Sequence, residues 1–565
     1  MYLNTGNQYQ TALKVGLIVD SRLGSKYIFN LAEWAKQQPD IDFSHLIIQD
    51  IPKTEGKFFS KLVQKIRGHG ILYIANVVGF KLIDKFERHL LSTTSHKEHY
   101  RDFDLSTLVS STLNIAPIVS KSGYVYRHND IDIDKIKALN LDVLIRCGSG
   151  ILRGQILNCA KHGILSFHHG DNTINRGGPA GFWEVYYRQD STGFIIQKLT
   201  EELDGGLVLY RGSIPTKPLY LLNQASIYTK SNIFMCAMLR QLADTGSLPE
   251  PQINFPYYNR LYKIPNIREQ MIYVFLSMLL GVQFLAQRVL KRKHRWGVAF
   301  ARSDWTKLVM RRAIKISAKP NHFLADPFVV EENNEHYCFL EDYDFSKKRG
   351  SIAAYKLTDN GAEDLGEVLN EDFHLSFPYI FKFHSRIYMI PESSENDDIR
   401  VYEATQFPTK WKLASVLMSN ISAADSMLFE SDDKWWLLTN IDSANSGDHC
   451  SELHIFYADN PLSTEWSPHS GNPVIIDSSR ARNGGILFAG KEIYRVSQKQ
   501  GFNMYGKGFS INKLITINTE EYIEQTVCSV KPNFFKHLKG AHHIHSNGTY
   551  SVFDYLKISQ VGKQL

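Results

Sequence analysis

Two adjacent histidines follow a strand-like run in the first half of the chain, where they could transfer protons. Gly163–His168 is the apolar run of a buried strand, and a polar loop follows His168 and His169. Downstream, Asp204 precedes two glycines, so its carboxylate stands on a turn. A neutral imidazole beside a carboxylate can shuttle a proton during acyl transfer. The same residues are equally compatible with a structural His–Asp pair.

Four short motifs extend this pattern along the chain. In order they are Ser166-Phe167-His168, Arg176-Gly177, Thr192-Gly193 and Leu203-Asp204-Gly205-Gly206. Their order and spacing resemble the formyltransferase family, which includes methionyl-tRNA formyltransferase and the sugar N-formyltransferases. The resemblance implies a Rossmann-like α/β core that transfers a formyl group from 10-formyltetrahydrofolate to a primary amine. It also implies that His168 manages protons, that Asp204 orients it, and that Ser166 stands where the family has an oxyanion-binding asparagine.

The pocket around this pair differs from the usual residues of the family. A hydroxyl at Ser166 offers one donor where an amide offers two. Gly170–Thr173 replaces Ser-Leu-Leu-Pro, and Ile151-Leu152-Arg153 replaces the Ile-Leu-Pro of the folate-side segment. The residues expected to bind substrate or donor are His169, Asp171, Asn172, Arg176 and Arg153. The sequence therefore predicts an intact proton-handling pair in a changed pocket, or else an inactive domain.

Alternating strand and helix patterns surround these motifs and predict the sheet that positions them. The strand-like runs are Lys14–Val19, Ser44–Ile48, Leu141–Ile145 and Gly163–His168. Strand, helix and strand in succession predict a mostly parallel sheet in a domain spanning residues 1–216. Ligands of such sheets bind beyond the carboxyl ends of the strands, which is where His168 falls.

The sequence pattern of residues 217–295 predicts that they form a helical linker. Within it, Met271–Ala286 is almost wholly apolar, and Lys291–Arg295 is basic. The apolar run is shorter than the roughly 20 residues that span a bilayer. It fits a helix packed between domains. It also fits a helix in the membrane interface, with contact through residues 271–295 and the basic residues on anionic headgroups.

Residues 296–565 repeat one pattern of a polar residue, a strand, a tight turn and an aromatic strand. The repeats start at Asp326, Pro378, Asp425, Asn483 and His543. This spacing, about 50 residues, is typical of propeller blades. The sequence therefore predicts an all-β five-bladed β-propeller after the α/β domain.

Three segments of the repeats indicate a sugar site. They are Ala325-Asp326-Pro327-Phe328, Pro391-Glu392-Ser393 and Ala424-Asp425-Ser426. They resemble carbohydrate-active propellers, and more closely the N-terminal propeller of glucosamine inositolphosphorylceramide transferases. The resemblance implies a central funnel lined by Asp326, Glu392, Asp425, Arg482 and Asn483. Such acids could bind a sugar, cleave a glycosidic bond, or only hold the blades together.

Composition narrows the class of protein. The net charge of +6 is spread over 565 residues, which does not indicate a nucleic-acid binder. The six cysteines are far apart and form no CxxC pair, so we expect no metal site and a reducing compartment. The polar N-terminus does not have the pattern of a signal peptide. We expect a cytoplasmic protein, including at the inner face of the membrane.

Together these features predict a formyltransferase that modifies an amino sugar, nucleotide-linked or lipid-linked, in surface-polysaccharide or glycolipid synthesis. Two alternatives stay open. One is a carbohydrate-binding propeller protein with an inactive formyltransferase domain. The other is a propeller glycoside hydrolase.

Overall fold

The computed structural model describes residues 12–51, 70–121, 123–202, 206–253 and 255–560. The chain forms two compact units. Unit 1 comprises Met1–Gly212 with Lys217–Ser277, and unit 2 comprises Ser213–Thr216 with Met278–Leu565. The segment predicted as a linker, 217–295, is therefore divided between the two units.

A seven-stranded sheet forms the centre of unit 1. Its strands are β1 Leu13–Val19, β2 Ile41–Gln49, β3 Ser111–Ile115, β4 Val143–Arg146, β5 Ile164–His168, β6 Ser191–Lys198 and β7 Leu207–Pro215. The spatial order is β7-β6-β5-β4-β1-β2-β3. Strands β5, β4, β1, β2 and β3 are parallel, and β6 is antiparallel to β5. The predicted mostly parallel sheet is therefore confirmed. Its strands, such as β1, are apolar and buried, as is typical of parallel strands that are covered on both faces.

The described residues before the propeller include six helices. They are α1 Lys26–Lys36, α2 Ile71–Leu91, α3 Asp130–Lys137, α4 Phe182–Tyr186, α5 Tyr220–Thr245 and α6 Ile267–Val289. Helix α5 buries many of its residues, among them Phe234, Met238 and Leu242, so it is a core helix of unit 1 rather than a linker. Short strands pair outside the main sheet: Leu23–Ser25 with Asp102–Asp104, Val125–Arg127 with Ile118–Val119 and Ile151–Leu152, and Arg176–Gly177 with Leu261–Tyr262.

Unit 2 is a five-bladed propeller, as predicted. Blade 1 is His322–Glu332, Glu335–Asp344, Arg349–Thr358 and Gly361–Leu369; blade 2 is Ser376–Phe383, Arg386–Glu392, Asp398–Gln406 and Lys410–Ser419. Blade 3 is Ala423–Ser431, Lys434–Ile441, Glu452–Ala458 and Ser467–Pro468, with Ile475–Ile476 also on its third strand. Blade 4 is Asn483–Ala489, Glu492–Gly501, Met504–Ile517 and Tyr522–Val530. The first strands of successive blades contact one another, and the ring returns to blade 1.

Blade 5 is built from two distant parts of the chain. Ile544–Ser546 and Ser551–Gln560 pair with Arg292–Ala301, which in turn pairs with Ile314–Ile316. This pairing closes the ring. It also corrects the prediction for the basic cluster. Strand Arg292–Ala301 begins inside that cluster, and Arg295 is buried and donates a 2.6 Å hydrogen bond to the carbonyl of His322.

The first strands of blades 1 to 4 share one irregularity. Each leaves two residues unpaired: Asp326-Pro327, Phe377-Pro378, Asp425-Ser426 and Gly484-Gly485. Asp326 and Asp425 have φ of 50°, and Phe377 has φ of 45°. A bulge bends its strand and redirects a side chain, and non-glycine residues at positive φ are uncommon. In blades 1 and 3 the aspartate that starts the repeat, Asp326 or Asp425, is therefore a bulge residue.

Candidate functional site

The pair of histidines in unit 1 lies at the end of β5, as predicted. His168 Nε2 is 3.0 Å from the carbonyl oxygen of Asn175, so this nitrogen carries a proton. His169 is half-buried, with Nε2 3.1 Å from Ser231 Oγ. Burial, with a smaller effect from the charge of His168, lowers the pKa of His169 to about 3. His169 is therefore a neutral packing residue in this structure.

The predicted pocket residues of unit 1 bond mainly to the loop itself. Arg211 forms an ion pair with Asp171 and donates a 2.8 Å hydrogen bond to Asn172 Oδ1. Arg176 Nε donates to the carbonyl of Asn172 at 2.9 Å. Arg153 pairs through its backbone with Tyr126. These contacts order the loop, and a role in binding stays a prediction for each residue.

Two further predictions for unit 1 concern Ser166 and Asp204. Ser166 Oγ is 3.3 Å from the carbonyl oxygen of Phe167. Asp204 lies outside the described residues, so the structure does not test its pairing with His168.

The predicted funnel residues of the propeller come together at the start of the blades. Arg482 Nε is 2.7 Å from Asp425 Oδ2, and Arg482 Nη2 is 3.4 Å from Glu392 Oε2. Asn483 Nδ2 donates a 2.9 Å hydrogen bond to the carbonyl of Asp425. The side chain of Asp425 is 2% exposed and that of Glu392 is 11% exposed. Residues from blades 2, 3 and 4 thus form one ion-paired cluster.

Asp326 pairs with a histidine that the sequence did not single out, and its charge acts on Asp425 of the cluster. His542 Nε2 is 3.2 Å from Asp326 Oδ1, and His542 Nδ1 is 2.6 Å from Asp554 Oδ2. Burial alone would lower the pKa of His542, but the charges of Asp554 and Asp326 raise it to about 10. His542 is therefore a buried imidazolium between two carboxylates.

Glu341 is the second residue that sequence reasoning missed. It pairs with Ala325 in blade 1 as Glu392 pairs with Ser376 in blade 2, so the two glutamates occupy equivalent register positions. Aligning the second strands of the repeats would have found it. For His542, the signal was the neighbouring His543, which the repeat pattern placed at the start of the fifth blade.

Burial and mutual repulsion set the charge of the acids. Burial, and then the charges of Asp326 and Glu392, raise the pKa of Glu341 well above its ordinary value. Burial also raises the pKa of Asp425, against the charge of Arg482. For Glu392, burial acts upward, but Arg482 and hydrogen bonds from Asp425 and Ser394 bring the pKa below its ordinary value. Of these three acids, Glu392 is therefore the one whose surroundings favour the ionised carboxylate.

The funnel contains more acids than bases among the described residues. The carboxylates are Asp326, Glu341, Glu392, Asp425 and Asp554, and the cations beside them are Arg482 and His542. Carboxylates accept strong hydrogen bonds from hydroxyl and ammonium groups. The cluster therefore suits a ligand that carries hydroxyls and a positive charge.

An aromatic surface adjoins the acids. The Tyr505 ring lies 5.1 Å from the Arg482 guanidinium and 5.2 Å from the His542 ring. Trp296 lies 4.0 Å from His542. Tyr505 is 39% exposed, so part of its ring is open to a ligand. The Tyr505 ring could pack against the apolar face of a sugar, while the neighbouring carboxylates accept hydrogen bonds from its hydroxyls.

Asp326, His542 and Asp554 also place ligand atoms within 4.8 Å of one another, a spacing that could hold a metal ion. A metal binds neutral imidazole, but here each ring nitrogen faces a carboxylate and the pKa of His542 is about 10. This geometry fits a proton-holding triad better than a metal site.

Comparison with known proteins shows what the propeller is similar to. A family profile described as "Glucosamine inositolphosphorylceramide transferase 1, N-terminal" matches residues 305–558. "Glucosamine inositolphosphorylceramide transferase 1" of Arabidopsis thaliana is 38% identical over 217 residues, which cover 37% of this chain and 28% of that protein. The chain thus spans little more than a quarter of this relative. The resemblance predicted for the propeller is confirmed.

Solved structures are more distant. A thermostable family-43 glycoside hydrolase is 16% identical, with a TM-score of 0.30, covering 37% of this chain and 76% of that chain. Glycinamide ribonucleotide transformylase 1 of Symbiobacterium toebii is 12% identical, with a TM-score of 0.26, covering 42% of this chain and 92% of that chain. Both scores lie below the level from which a shared fold would follow.

The predicted activity is corrected by these comparisons. The family profile and the similar sequence carry the name of a glucosamine inositolphosphorylceramide transferase, not of a formyltransferase. Formyl transfer from 10-formyltetrahydrofolate to an amine is therefore wrong as the function. The folate cofactor and the roles given to His168, Ser166 and Asp204 stay predictions.

Proposed function

We propose that the propeller funnel binds a sugar with a free amino group, and that the protein serves glycosyl transfer in glycolipid synthesis. The observation that carries the proposal is the acidic cluster in which Glu392 and Asp425 pair with Arg482, while Asp326 pairs with His542 and acts on Asp425 through its charge. The name of the similar protein supports the same ligand, because it includes both glucosamine and a phosphorylceramide lipid. The lipid-linked acceptor is part of this proposal.

The charge of the funnel favours an ammonium group over a neutral amide. Removing a carboxylate from water is costly unless a cation or donor compensates it. Arg482 compensates Asp425 and part of Glu392, and His542 compensates Asp326 and Asp554. Among the described residues, His374 is the basic side chain within ion-pair distance of Glu341, with its Nε2 3.6 Å from Glu341 Oε1. A bound ammonium would lower the pKa values of Glu341 and Asp425, which burial raises, and would so favour the ionised form of the acids that hold it.

Thermal unfolding with a panel of sugars tests the proposal. The panel is methyl glucosaminide, its N-acetylated form and methyl glucoside, which differ only at carbon 2. A ligand that binds the folded state raises the melting temperature by mass action. We expect a rise with methyl glucosaminide and a much smaller one with the two neutral sugars. Equal shifts with all three, or none, would contradict the proposal.

Glycoside hydrolysis is the second candidate, and one observation favours it. The raised pKa of Glu341 keeps a carboxylic acid protonated beside Asp326, which is the pairing that an acid-assisted cleavage uses. Release of nitrophenol from aryl glycosides, abolished by Asp326→Asn, would support hydrolysis. No release from any aryl glycoside leaves amino-sugar binding as the function of the funnel.

A further inference from the structure

Helices α2 and α6 pack against each other in unit 1. Gln270 Nε2 donates a 2.7 Å hydrogen bond to the carbonyl of Asn76, and the backbone nitrogen of Ile267 donates to Asn76 Oδ1 at 3.0 Å. Gly79 permits this approach, because a Cβ there would lie 2.3 Å from Gln270 Oε1. Tyr273 donates a short hydrogen bond to the buried Glu87. The first turns of α6, which belong to unit 1, are therefore fixed against α2.

The outer face of α2 is apolar and exposed. Its exposed large residues are Ile71, Leu72, Tyr73, Val78, Leu82, Phe86 and Leu90. Val78, Leu82, Phe86 and Leu90 recur every fourth residue, so they share one face of the helix. Leu82 is 64% exposed and Phe86 is 65% exposed. Soluble monomers rarely leave a contiguous apolar stripe of this kind in water.

Helix α6 is exposed to a greater extent. Its exposed large apolar residues are Ile267, Met271, Val274, Phe275, Met278, Leu279, Val282, Phe284, Leu285 and Val289. Only Gln270 and Tyr273 of this helix are buried. The mean hydropathy of an 18-residue stretch of this helix is 1.5, and only 6% of that stretch is buried. By length and composition it is a candidate to cross a membrane, yet it is not covered by the described protein.

Positive charge accompanies both apolar faces. Lys81 and Lys85 lie on α2, where Arg88 is paired with Asp84. At the end of α6, Arg288 is followed by Lys291, Arg292 and Lys293. Arg292 and Lys293 are exposed, unlike the buried Arg295. Apolar helices flanked by lysine and arginine are the pattern that anionic lipid headgroups attract.

We propose that α2 and the outward face of α6 dock on the surface of an anionic lipid bilayer. The helices lie in the interface rather than cross it. Tyr273 fixes the first turns of α6 to unit 1, because it accepts a 2.9 Å hydrogen bond from the backbone nitrogen of Tyr220 and donates to Glu87. The remainder, Met278–Val289, is about 18 Å long at 1.5 Å per residue, against about 30 Å of hydrocarbon.

Flotation of the full chain with vesicles tests this docking surface. The vesicles are phosphatidylcholine alone and phosphatidylcholine mixed with phosphatidylglycerol. We expect the wild-type protein to float with the anionic vesicles. Leu82→Glu with Phe86→Glu, and separately Val282→Glu with Leu285→Glu, should each lower the bound fraction tenfold or more. These positions are exposed, so the melting temperature should not change.

A matched control separates docking from general loss of hydrophobicity. Leu413→Glu with Ile523→Glu changes two apolar residues on propeller strands, which are 49% and 43% exposed. This variant should float like the wild type. The proposal is overturned if wild-type protein does not float with anionic vesicles, if the helix variants float as well as it does, or if light scattering shows that these helices instead join two copies of the chain. The sugar-binding proposal is independent of all these outcomes.

Discussion

His542 is the residue on which the charge of the funnel depends most. It is buried, its two ring nitrogens face Asp326 and Asp554, and its pKa is about 10. No sequence pattern required a charged histidine here, because Asp554 follows it within blade 5 but Asp326 belongs to blade 1. Asp326 and Asp425, in contrast, were predicted, since each starts a blade. The sequence thus identifies residues that recur with the repeat and misses those whose role depends on pairing between blades.

The raised pKa of His542 predicts how stability depends on pH. A group whose pKa is higher in the folded state binds its proton more tightly there. Its contribution is therefore complete below pH 6.5, the ordinary value, and is lost as the pH rises through about 10. We expect the free energy of unfolding, measured in urea, to fall across this range.

Replacement of His542 isolates this effect. In His542→Gln the fall between pH 6.5 and 10 should become shallower. The variant should also lose about 3–5 kcal/mol near neutral pH, because two buried carboxylates lose their partner. Parallel pH profiles for variant and wild type would show that His542 is not the group responsible.

At the scale of elements, the bulge and the register place the funnel residues. The repeat predicted the blades because each blade has the same pattern of strand and turn, and bulge residues fall at the same place in each. It missed that Arg292–Ala301 is a blade strand, because that strand pairs with Ser551–Gln560 at the other end of the chain. Local charge and hydropathy cannot show such a pairing.

A buried ion pair in blade 4 holds the segment that carries Arg482. Arg495 contacts Glu524 at 2.7 Å, and it donates to the carbonyls of Arg480 and Ala481. Both side chains are at most 4% exposed. Breaking such a pair leaves an uncompensated charge, so Arg495→Met should cost about 3–5 kcal/mol of unfolding free energy and weaken sugar binding.

Arg302 offers the matched comparison for Arg495. It pairs with Asp359 on the surface, where the two side chains are 62% and 57% exposed. Arg302→Met should change the unfolding free energy by less than about 0.5 kcal/mol. Denaturant titration of both variants decides the matter. Similar losses in the two would mean that burial does not distinguish the pairs.

At the scale of the whole molecule, the two units were predicted with different success. The propeller and its resemblance followed from repeats and motifs that persist along the chain. In unit 1 the parallel sheet was predicted, because strand and helix periods are local properties. The predicted formyl transfer was wrong, because the similar proteins are named as glucosamine inositolphosphorylceramide transferases and not as formyltransferases. The predicted cytoplasmic location and a binding role for the loop after β5 stay predictions.

Calorimetric titration of methyl glucosaminide and its N-acetylated form into wild-type protein and Glu392→Gln tests the central claim most directly. Glu392 keeps its charge beside Arg482, so its replacement removes one negative charge while Asp425 still pairs with Arg482. We predict that the wild type binds the free amine at least about tenfold more tightly, a difference of 1.4 kcal/mol. Glu392→Gln should lose most of that preference, and Glu331→Gln, on the exposed part of blade 1, should keep it. Equal affinity of the wild type for the two sugars would contradict the account.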